Sequence, residues 1–237
     1  MFTVRPYIQA IRLLTLTHRV DLFDQLSHSA WYHSALNSFI HTLSLQHTDH
    51  HLDIGCGTGW FTLWTAPYTH TSVGLDDNPL MLKRAHHNKL QQETSSNVSY
   101  VEGSALRLPF DRHSFDVVTG NMLLPVLPDP VAALSEMFRV LKPNGKAGLF
   151  LPTEKLNRVN ALPYIKQQQW SGFDASSFLA WSLTGSGFSM DKLNSLLNAT
   201  TCAYHITHSS YLFNEMALMV VIEKREEHGM TDASGFD

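Results

Sequence analysis

The sequence is poor in cysteine and in charge, and each shortage excludes a class of protein. Only two cysteines occur among 237 residues, too few for the disulfide framework of a small secreted domain. Charged residues make up 16% of the chain and the formal net charge is −4. That balance argues against a basic surface for nucleic acid or anionic lipid, so we expect no nucleic-acid partner.

Long apolar runs and metal-binding motifs are also missing. No window approaches the roughly 18 uninterrupted apolar residues that a membrane-spanning helix needs. The first residues, MFTVRPYIQAIRLLTLTHR, lack a signal-peptide core followed by a small-residue cleavage site. Cys56 and Cys202 have no CxxC partner, and no H-E-x-x-H motif occurs. We therefore expect a cytoplasmic protein with no membrane span and no bound metal.

What the sequence does contain is an alternation of strand and helix patterns. Short apolar runs typical of strands lie at 50–55, 71–77, 97–103, 114–123 and 146–152. Helical periodicity lies at 6–46, 60–68, 79–93, 130–142 and 190–200. The tetrapeptide KPNG at 142–145 is expected as a turn that ends the helix at 130–142. Two β-rich runs, 201–209 and 215–225, form a final hairpin-like pair. This order predicts a mostly parallel sheet with helices on both faces and an antiparallel pair at its end.

The stretch HLDIGCGTGW connects the first predicted strand to the first helix after it. It places Gly55, Gly57 and Gly59 in a G-x-G-x-G loop, where ligands bind beyond the strand ends of open α/β sheets. The dinucleotide fingerprint is G-x-G-x-x-G, whose last glycine lets the helix pack on the strand. Trp60 stands at that last position and is unsuited to the same purpose.

Two carboxylates accompany the loop and narrow the choice of ligand. Asp76 ends the second predicted strand, about 20 residues after the loop, where an acid accepts hydrogen bonds from ribose hydroxyls. Such an acid fits NAD and S-adenosylmethionine alike. Asp53, just before the loop, would repel a pyrophosphate but attract a cationic amine. The residues therefore favour S-adenosylmethionine, which carries an α-ammonium group and no phosphate.

Four consecutive stretches resemble one family. HLDIGCGTG, VGLDDNPLMLKRA, VEGSALRLPFDRHSFDVVTG and LPDPVAALSEMFRVLKPNGKAGLF resemble the class I S-adenosylmethionine-dependent methyltransferases, type 11 group, over about residues 50–150. The resemblance implies a Rossmann-like, seven-stranded, mostly parallel sheet with helices on both faces and a C-terminal antiparallel hairpin. It also implies that the three loop glycines approach the methionine moiety and that Asp76 binds the ribose.

The resemblance assigns further residues to the cofactor. It implies that Asp77 and Met81 flank the adenine, that Ser104 and Ala105 meet its edge, and that Asn121 lies where methyl donor and acceptor face each other. The full set expected to bind the cofactor is Asp53, Gly55, Gly57, Gly59, Asp76, Asp77, Met81, Ser104, Ala105 and Asn121.

Two positions depart from the family pattern. The family usually has an acid where Ser104 stands, and a serine hydrogen bond without charge assistance is weaker by about 1 kcal/mol. The family often has a histidine in the region of Pro125. The Asn-Pro-Pro-aromatic box of amide and nucleobase N-methyltransferases is absent. These departures leave open a non-catalytic regulator on the same scaffold, while the loop and Asp53 disfavour an NAD-dependent oxidoreductase.

We expect one methyltransferase domain over 1–225, followed by a polar tail over 226–237. Its parts are an N-terminal helical lid (1–48), the cofactor-binding core (49–152), a substrate-side segment (153–189), and a final helix and hairpin (190–225). No catalytic residue is assigned, because an activated sulfonium donor needs an aligned acceptor more than a general base. The expected acceptor is a small molecule, and the oligomeric state stays open.

Several aromatic and histidine side chains are candidates for contact with the methyl acceptor, although each residue on its own is more commonly an ordinary core or surface residue. They are Trp31, Tyr32, His33, Tyr164, Trp170, Trp181, His205 and His208. The aromatic richness of 153–187 hints at an apolar or aromatic acceptor, because small-molecule pockets are mostly apolar with few polar anchors.

Overall fold

The central feature of the fold is a seven-stranded sheet. A computed structural model describes residues 19–92, 96–183 and 187–225, and its strands run in the order β3-β2-β1-β4-β5-β7-β6. They are β1 His50–Ile54, β2 Thr71–Asp76, β3 Val98–Glu102, β4 Phe115–Asn121, β5 Leu141–Pro152, β6 Tyr204–Leu212 and β7 Ala217–Lys224. Strands β1 to β5 pair in parallel, whereas β7 pairs antiparallel with β5 and β6. The predicted fold class is confirmed.

Eight α-helices connect the strands in the described part of the chain. They are α1 Arg19–Ser27, α2 Ala30–Leu43, α3 Trp60–Thr65, α4 Pro79–Leu90, α5 Pro130–Val140, α6 Arg158–Gln167, α7 Gly172–Trp181 and α8 Met190–Ala199. None of these described helices has the length and hydropathy needed to span a bilayer. Residues 1–18 of the predicted N-terminal lid and the tail 226–237 lie outside the described residues.

Two helix starts show why the sequence folds as it does around the strand ends. Asn78 accepts a hydrogen bond from the Leu80 amide, and Asp129 accepts one from the Ala132 amide. A proline follows each cap at the first helical position, where its missing N–H is no loss. These caps start α4 and α5 at the ends of the loops that follow β2 and β4.

Both faces of the sheet are buried, as the alternation of side chains in β5 and β7 shows. Leu149 and Leu218 belong to a core formed with α5 and α8, whereas Phe150 and Met219 belong to a core formed with α2 and Phe61 of α3. Successive residues of a strand point to opposite faces, so a sheet covered on both sides needs such continuous apolar runs.

One sequence expectation was wrong, and one segment was left without assigned elements. The tetrapeptide KPNG was expected as a turn between helix and strand, but β5 begins at Leu141 and includes it. The pairing shifts from Phe115–Leu141 to Val117–Lys146, so the tetrapeptide is an irregularity within the strand. The segment 153–187, in which the sequence pattern assigns no helix or strand, contains α6 and α7. Pro163 within α6 weakens the helical pattern there.

Candidate functional site

The glycine loop lies at the carboxyl end of β1 and is tied to β2. The amides of Gly55 and Cys56 both donate to the Leu75 carbonyl, at 2.7 and 3.0 Å. All three loop glycines have positive φ, of 71°, 55° and 82°, which side chains other than glycine rarely adopt.

The space around the three glycines differs. A Cβ on Gly59 would come within 2.3 Å of the Tyr100 hydroxyl oxygen, and a Cβ on Gly55 within 2.8 Å of Leu123 Cδ1. A Cβ on Gly57 would meet no atom within 4 Å. Among the described residues, the loop is therefore packed against the protein at its two ends and open at its centre, so Gly57 leaves room for a ligand to approach the backbone.

Asp76, the last residue of β2, is bound to this loop. Its Oδ2 accepts a hydrogen bond from the Gly57 amide and its Oδ1 accepts one from the Asn78 amide, each at 2.9 Å. Burial raises the pKa of the half-buried Asp76 carboxyl, although the two backbone donors oppose that rise. The structure thus brings together the predicted ribose acid and the open centre of the loop.

Asp53 is buried beneath the loop, with 1% of its surface exposed. Thr62 Oγ1 of α3 donates to its Oδ2 at 2.9 Å, and Thr119 Oγ1 of β4 donates to its Oδ1 at 3.0 Å. Burial raises the pKa of the Asp53 carboxyl to about 7, and the nearby charge of Asp76 contributes to the rise. Asp53 and Asp76 thus place two carboxyls at this edge of the sheet, and burial disfavours the ionised form of each; a cation bound there would favour the ionised forms.

Asn121, at the end of β4, lies beside Asp53. Its Nδ2 is 3.4 Å from Asp53 Oδ1, while its Oδ1 is buried and has no hydrogen-bond partner among the described residues. A buried carbonyl oxygen without a donor costs free energy. This atom is therefore suited to accept a hydrogen bond from a bound ligand.

The remaining predicted cofactor residues lie in the loops and helix starts after β2 and β3. Asp77 is exposed, Met81 is 7% exposed on α4, and Ala105 is 9% exposed. The exposed Ser104 accepts a hydrogen bond from the Leu106 amide through its hydroxyl oxygen. No hydrogen bond links these four side chains to the glycine loop among the described residues, and their adenine roles remain predictions.

A polar cluster that sequence reasoning missed ties α1 to the glycine loop. Asp24 accepts hydrogen bonds from Trp60 Nε1, Arg84 Nη1 and Asn88 Nδ2 at 2.8, 2.7 and 2.6 Å. Asn88 Nδ2 also donates to the Thr58 carbonyl at 3.0 Å. Burial opposes ionisation of Asp24, but the donors outweigh it and lower the pKa of this carboxyl. The tryptophan that replaces the last fingerprint glycine thus fastens α1.

No sequence signal identifies this cluster. Asp24 lies 36, 60 and 64 residues from its three partners along the chain. An acid on a short amphipathic helix is most often a solvated surface charge. Only the packing of α1 against α3 and α4 brings the donors to it.

A second cluster, here called the aromatic cover, consists of rings from α2, α6, α7 and the loops that follow α6 and β6. Its members are Trp31, Tyr164, Trp170, Phe178, Trp181 and Phe213. The rings of Trp31 and Trp181 stack at 5.1 Å, and Trp31 Nε1 donates to Ser177 Oγ at 2.9 Å. Tyr164, Trp170 and Trp181, which were candidates for the acceptor side, therefore pack mainly against other rings.

The carboxyl ends of β1, β2 and β4, together with the loop from Gly55 to Gly59, are here called the glycine loop edge. Tyr32 is the candidate that lies between the aromatic cover and the glycine loop edge. Its ring is 5.4 Å from Trp31 and 6.4 Å from Phe150. Burial raises the pKa of the Tyr32 hydroxyl, and the charge of Asp53 raises it further. It stays protonated at neutral pH.

The structure does not bring the histidine candidates to this edge. His33 is exposed and packs edge-on against Trp64 at 4.7 Å. His205 and His208 are exposed on β6, which is an edge strand separated from β4 by β5 and β7. His205 and His208 were candidates because of their residue type alone, and the strand order places them away from the glycine loop edge.

The fold and this edge are those of a Rossmann-like protein that binds a nucleoside. Two carboxyls stand beside a loop with no basic side chain, which fits a cofactor with a ribose and a positive charge. A family model described as a methyltransferase domain matches residues 52–149. The chain belongs to the S-adenosylmethionine-dependent methyltransferases, and its cofactor is S-adenosylmethionine.

The similarity to curated relatives covers part of the chain. A demethylmenaquinone methyltransferase of Lactobacillus johnsonii is 30% identical over 165 residues, which cover 62% of this chain and 68% of the relative. One of Lactococcus lactis is 42% identical over 148 residues, 54% of this chain and 58% of the relative. The crystal structure of a SAM-dependent methyltransferase from Aquifex aeolicus shares the fold, with a TM-score of 0.65, 12% identity, and coverage of 87% and 97%.

Proposed function

We propose that this enzyme transfers the methyl group of S-adenosylmethionine to a small aromatic acceptor of the quinol class. The relatives named demethylmenaquinone methyltransferase support this class of acceptor. The observation that carries the proposal is the anionic edge at β1, β2 and β4, where the loop is open at Gly57 and no donor of the described residues reaches the buried Asn121 Oδ1.

Each polar group at the edge has a role in holding the cofactor. Asp76 accepts the ribose hydroxyls, because each of its oxygens has a lone pair left beside the one given to a backbone amide. Asn121 Oδ1 accepts from the α-ammonium group. Asp53, too deeply buried for direct contact, supplies negative charge through Asn121 Nδ2, and charge acts more strongly at low dielectric.

The sulfonium of the bound cofactor supplies an already activated methyl group. The chain then has to align the acceptor and exclude water. An oxidised quinone ring is electron-poor, so the nucleophile is the reduced, quinol form of the ring. Tyr32 and the aromatic cover give the acceptor side a boundary of rings with two phenol hydroxyls, those of Tyr32 and Tyr164, which suits a ring that carries few polar groups.

Calorimetry with S-adenosylhomocysteine tests the cofactor roles. Asp76→Ala removes the ribose acceptor, and we expect affinity to fall about 100-fold, as for two charge-assisted hydrogen bonds. Asp191→Ala, an exposed acid on α8, is the matched control and should bind like the unaltered protein. Unchanged affinity of folded Asp76→Ala protein would contradict the assignment.

Methyl transfer from radiolabelled S-adenosylmethionine tests the acceptor class. Naphthoquinols and benzoquinols kept reduced should accept label, and the same rings kept oxidised should not, because only the reduced ring is nucleophilic. A protein that binds S-adenosylhomocysteine but labels no reduced ring would show that the acceptor class is wrong and leave the cofactor roles standing.

A further inference from the structure

A fully buried histidine on β1 has no part in the cofactor roles proposed above. His51 has 0% of its surface exposed. Its Nδ1 lies 2.9 Å from Ser72 Oγ and 3.0 Å from Thr65 Oγ1, and its Nε2 lies 2.9 Å from Thr119 Oγ1. Burial lowers the pKa of His51 to about 3, so the ring is neutral and one nitrogen carries the only proton.

His51 is joined to Asp53 through a single hydroxyl. Thr119 Oγ1 contacts both His51 Nε2, at 2.9 Å, and Asp53 Oδ1, at 3.0 Å. A hydroxyl has one proton to donate. The Leu52 carbonyl, 3.5 Å from Thr119 Oγ1, is too distant for a good O–H···O hydrogen bond, so the direction of the first hydrogen bond decides the direction of the second.

The other side of the ring permits either tautomer. Thr65 Oγ1 lies 2.9 Å from the Thr62 carbonyl, which only accepts, so the Thr65 proton is committed there. Ser72 Oγ lies 2.8 Å from Thr65 Oγ1 and is able to donate either to Thr65 or to His51 Nδ1. Both tautomers of His51 are thus satisfied on the Nδ1 side.

The two tautomers correspond to two states of Asp53. With the proton on Nε2, His51 donates to Thr119 and the Thr119 hydroxyl donates to an ionised Asp53. With the proton on Nδ1, Thr119 donates to His51 Nε2, and its oxygen then faces Asp53 Oδ1. That second arrangement is satisfied only when the Asp53 carboxyl is protonated and donates to Thr119.

We propose that His51 and Thr119 are positioning residues for Asp53, with the Nε2–H tautomer of His51 directing the Thr119 hydroxyl onto the ionised carboxyl. Thr62 holds the second carboxyl oxygen from α3. The three residues together keep the charge of Asp53 beside Asn121, where the cofactor's ammonium is bound. This inference rests on the proposed function of the glycine loop edge.

Four other titratable groups face Asp53 from the elements around it: Asp76 from β2, Tyr32 from α2, Cys56 from the loop and Tyr100 from β3. Burial raises the pKa of the two phenols and of the thiol, so these three stay neutral near pH 7. Asp76 is the one nearby acid, and its charge adds to the effect of burial in raising the pKa of Asp53 to about 7. We therefore assign any change in the His51 tautomer or in cofactor binding near neutral pH to the carboxyls of Asp53 and Asp76.

Nitrogen NMR of the ¹⁵N-histidine-labelled protein reads the tautomer directly, without ligand. The His51 signals are assigned by their loss in His51→Gln. We expect Nε2–H at about pH 8.5 and a growing share of Nδ1–H at about pH 6, either side of the Asp53 titration. Thr119→Val should abolish this pH dependence, and Thr119→Ser should retain it. Nδ1–H at both pH values would overturn the proposal.

Calorimetry with S-adenosylhomocysteine gives the second readout. Removing the Thr119 donor favours the protonated carboxyl, so Thr119→Val should lower affinity about tenfold at neutral pH. It should also move the pH midpoint of binding upward by about one unit. Thr119→Ser should restore both values. His50→Gln is the control, since His50 contacts Thr71 instead.

The two proposals fail differently in this measurement. If the unaltered, folded protein does not bind S-adenosylhomocysteine, the proposed function fails. If the unaltered protein binds and Thr119→Val binds with the same affinity and pH midpoint, the positioning roles of His51 and Thr119 fail alone.

Discussion

The glycine loop edge and the aromatic cover are built on opposite physical principles. The edge combines positive-φ glycines, two carboxyls whose pKa values are raised by burial, and a buried amide oxygen that no donor of the described residues reaches. The aromatic cover combines six large rings at 5–6 Å separations, and its indole Trp31 Nε1 is hydrogen-bonded.

This difference separates residues proposed to bind the cofactor from residues that stabilise the fold. Groups that await a ligand are locally unfavourable in its absence, whereas packed rings contribute hydrophobic burial and favourable edge-to-face contacts. Asp24, through Trp60 and Asn88, connects α1, which leads into the covering helices, to the loop. Substitutions in the two regions should therefore change different measured quantities.

The largest expected effect lies in the aromatic cover. Phe178 is fully buried, and truncating such a ring to alanine costs about 3–5 kcal/mol of unfolding free energy. Urea denaturation of Phe178→Ala should show this loss, while affinity for S-adenosylhomocysteine changes less than about threefold. Phe23→Ala, at a ring 43% exposed on α1, is the control and should be nearly neutral. A large loss of affinity without a loss of stability would contradict the comparison.

Two substitutions in the glycine loop should separate an effect on unfolding free energy from an effect on affinity for S-adenosylhomocysteine. Gly59→Ala places a methyl group against Tyr100 and Ala85 at positive φ, and should cost about 2–3 kcal/mol of stability from strain and contact. Gly57→Ala meets no atom and should cost only about 1 kcal/mol of strain. Its methyl group should nevertheless weaken S-adenosylhomocysteine binding. Equal stability of the two variants would contradict this reading of the loop.

A smaller effect than that of Gly59→Ala is expected at Asp24. Asp24→Asn weakens three hydrogen bonds to a charged acceptor and should cost about 1–2 kcal/mol at neutral pH. Because the pKa of Asp24 is lowered in the folded protein, this stability is present above the unfolded pKa and is lost as the pH falls through the folded value. The denaturation curves of the variant and the unaltered protein should therefore differ at neutral pH and converge as the pH falls through the lowered pKa of Asp24. The control Asp21→Asn, at an acid 46% exposed, should have little effect at either pH, and curves that stay apart in acid would count against the cluster.

Much of the fold was predictable from local patterns. The strand and helix order, the caps Asn78 and Asp129 and the glycine loop follow from periodicity, capping chemistry and backbone conformation, all of which act within a few residues. The irregular start of β5 at KPNG and the helices α6 and α7 were not predicted. There, pairing with β4 and packing among rings override weak or contrary local signals.

By itself, the sequence determined the class of cofactor. The residues that indicate it lie at the ends of two adjoining strands and in the loop between the first strand and its helix: Asp53, Gly55, Gly57, Gly59 and Asp76. Tertiary structure alone decided how those groups are held. It joined Asp53 to His51 through Thr119, 66 residues away from Asp53, and fastened α1 through Trp60. Hydrogen bonds between distant segments depend on which side chains packing brings within about 3 Å, and no local pattern encodes that distance.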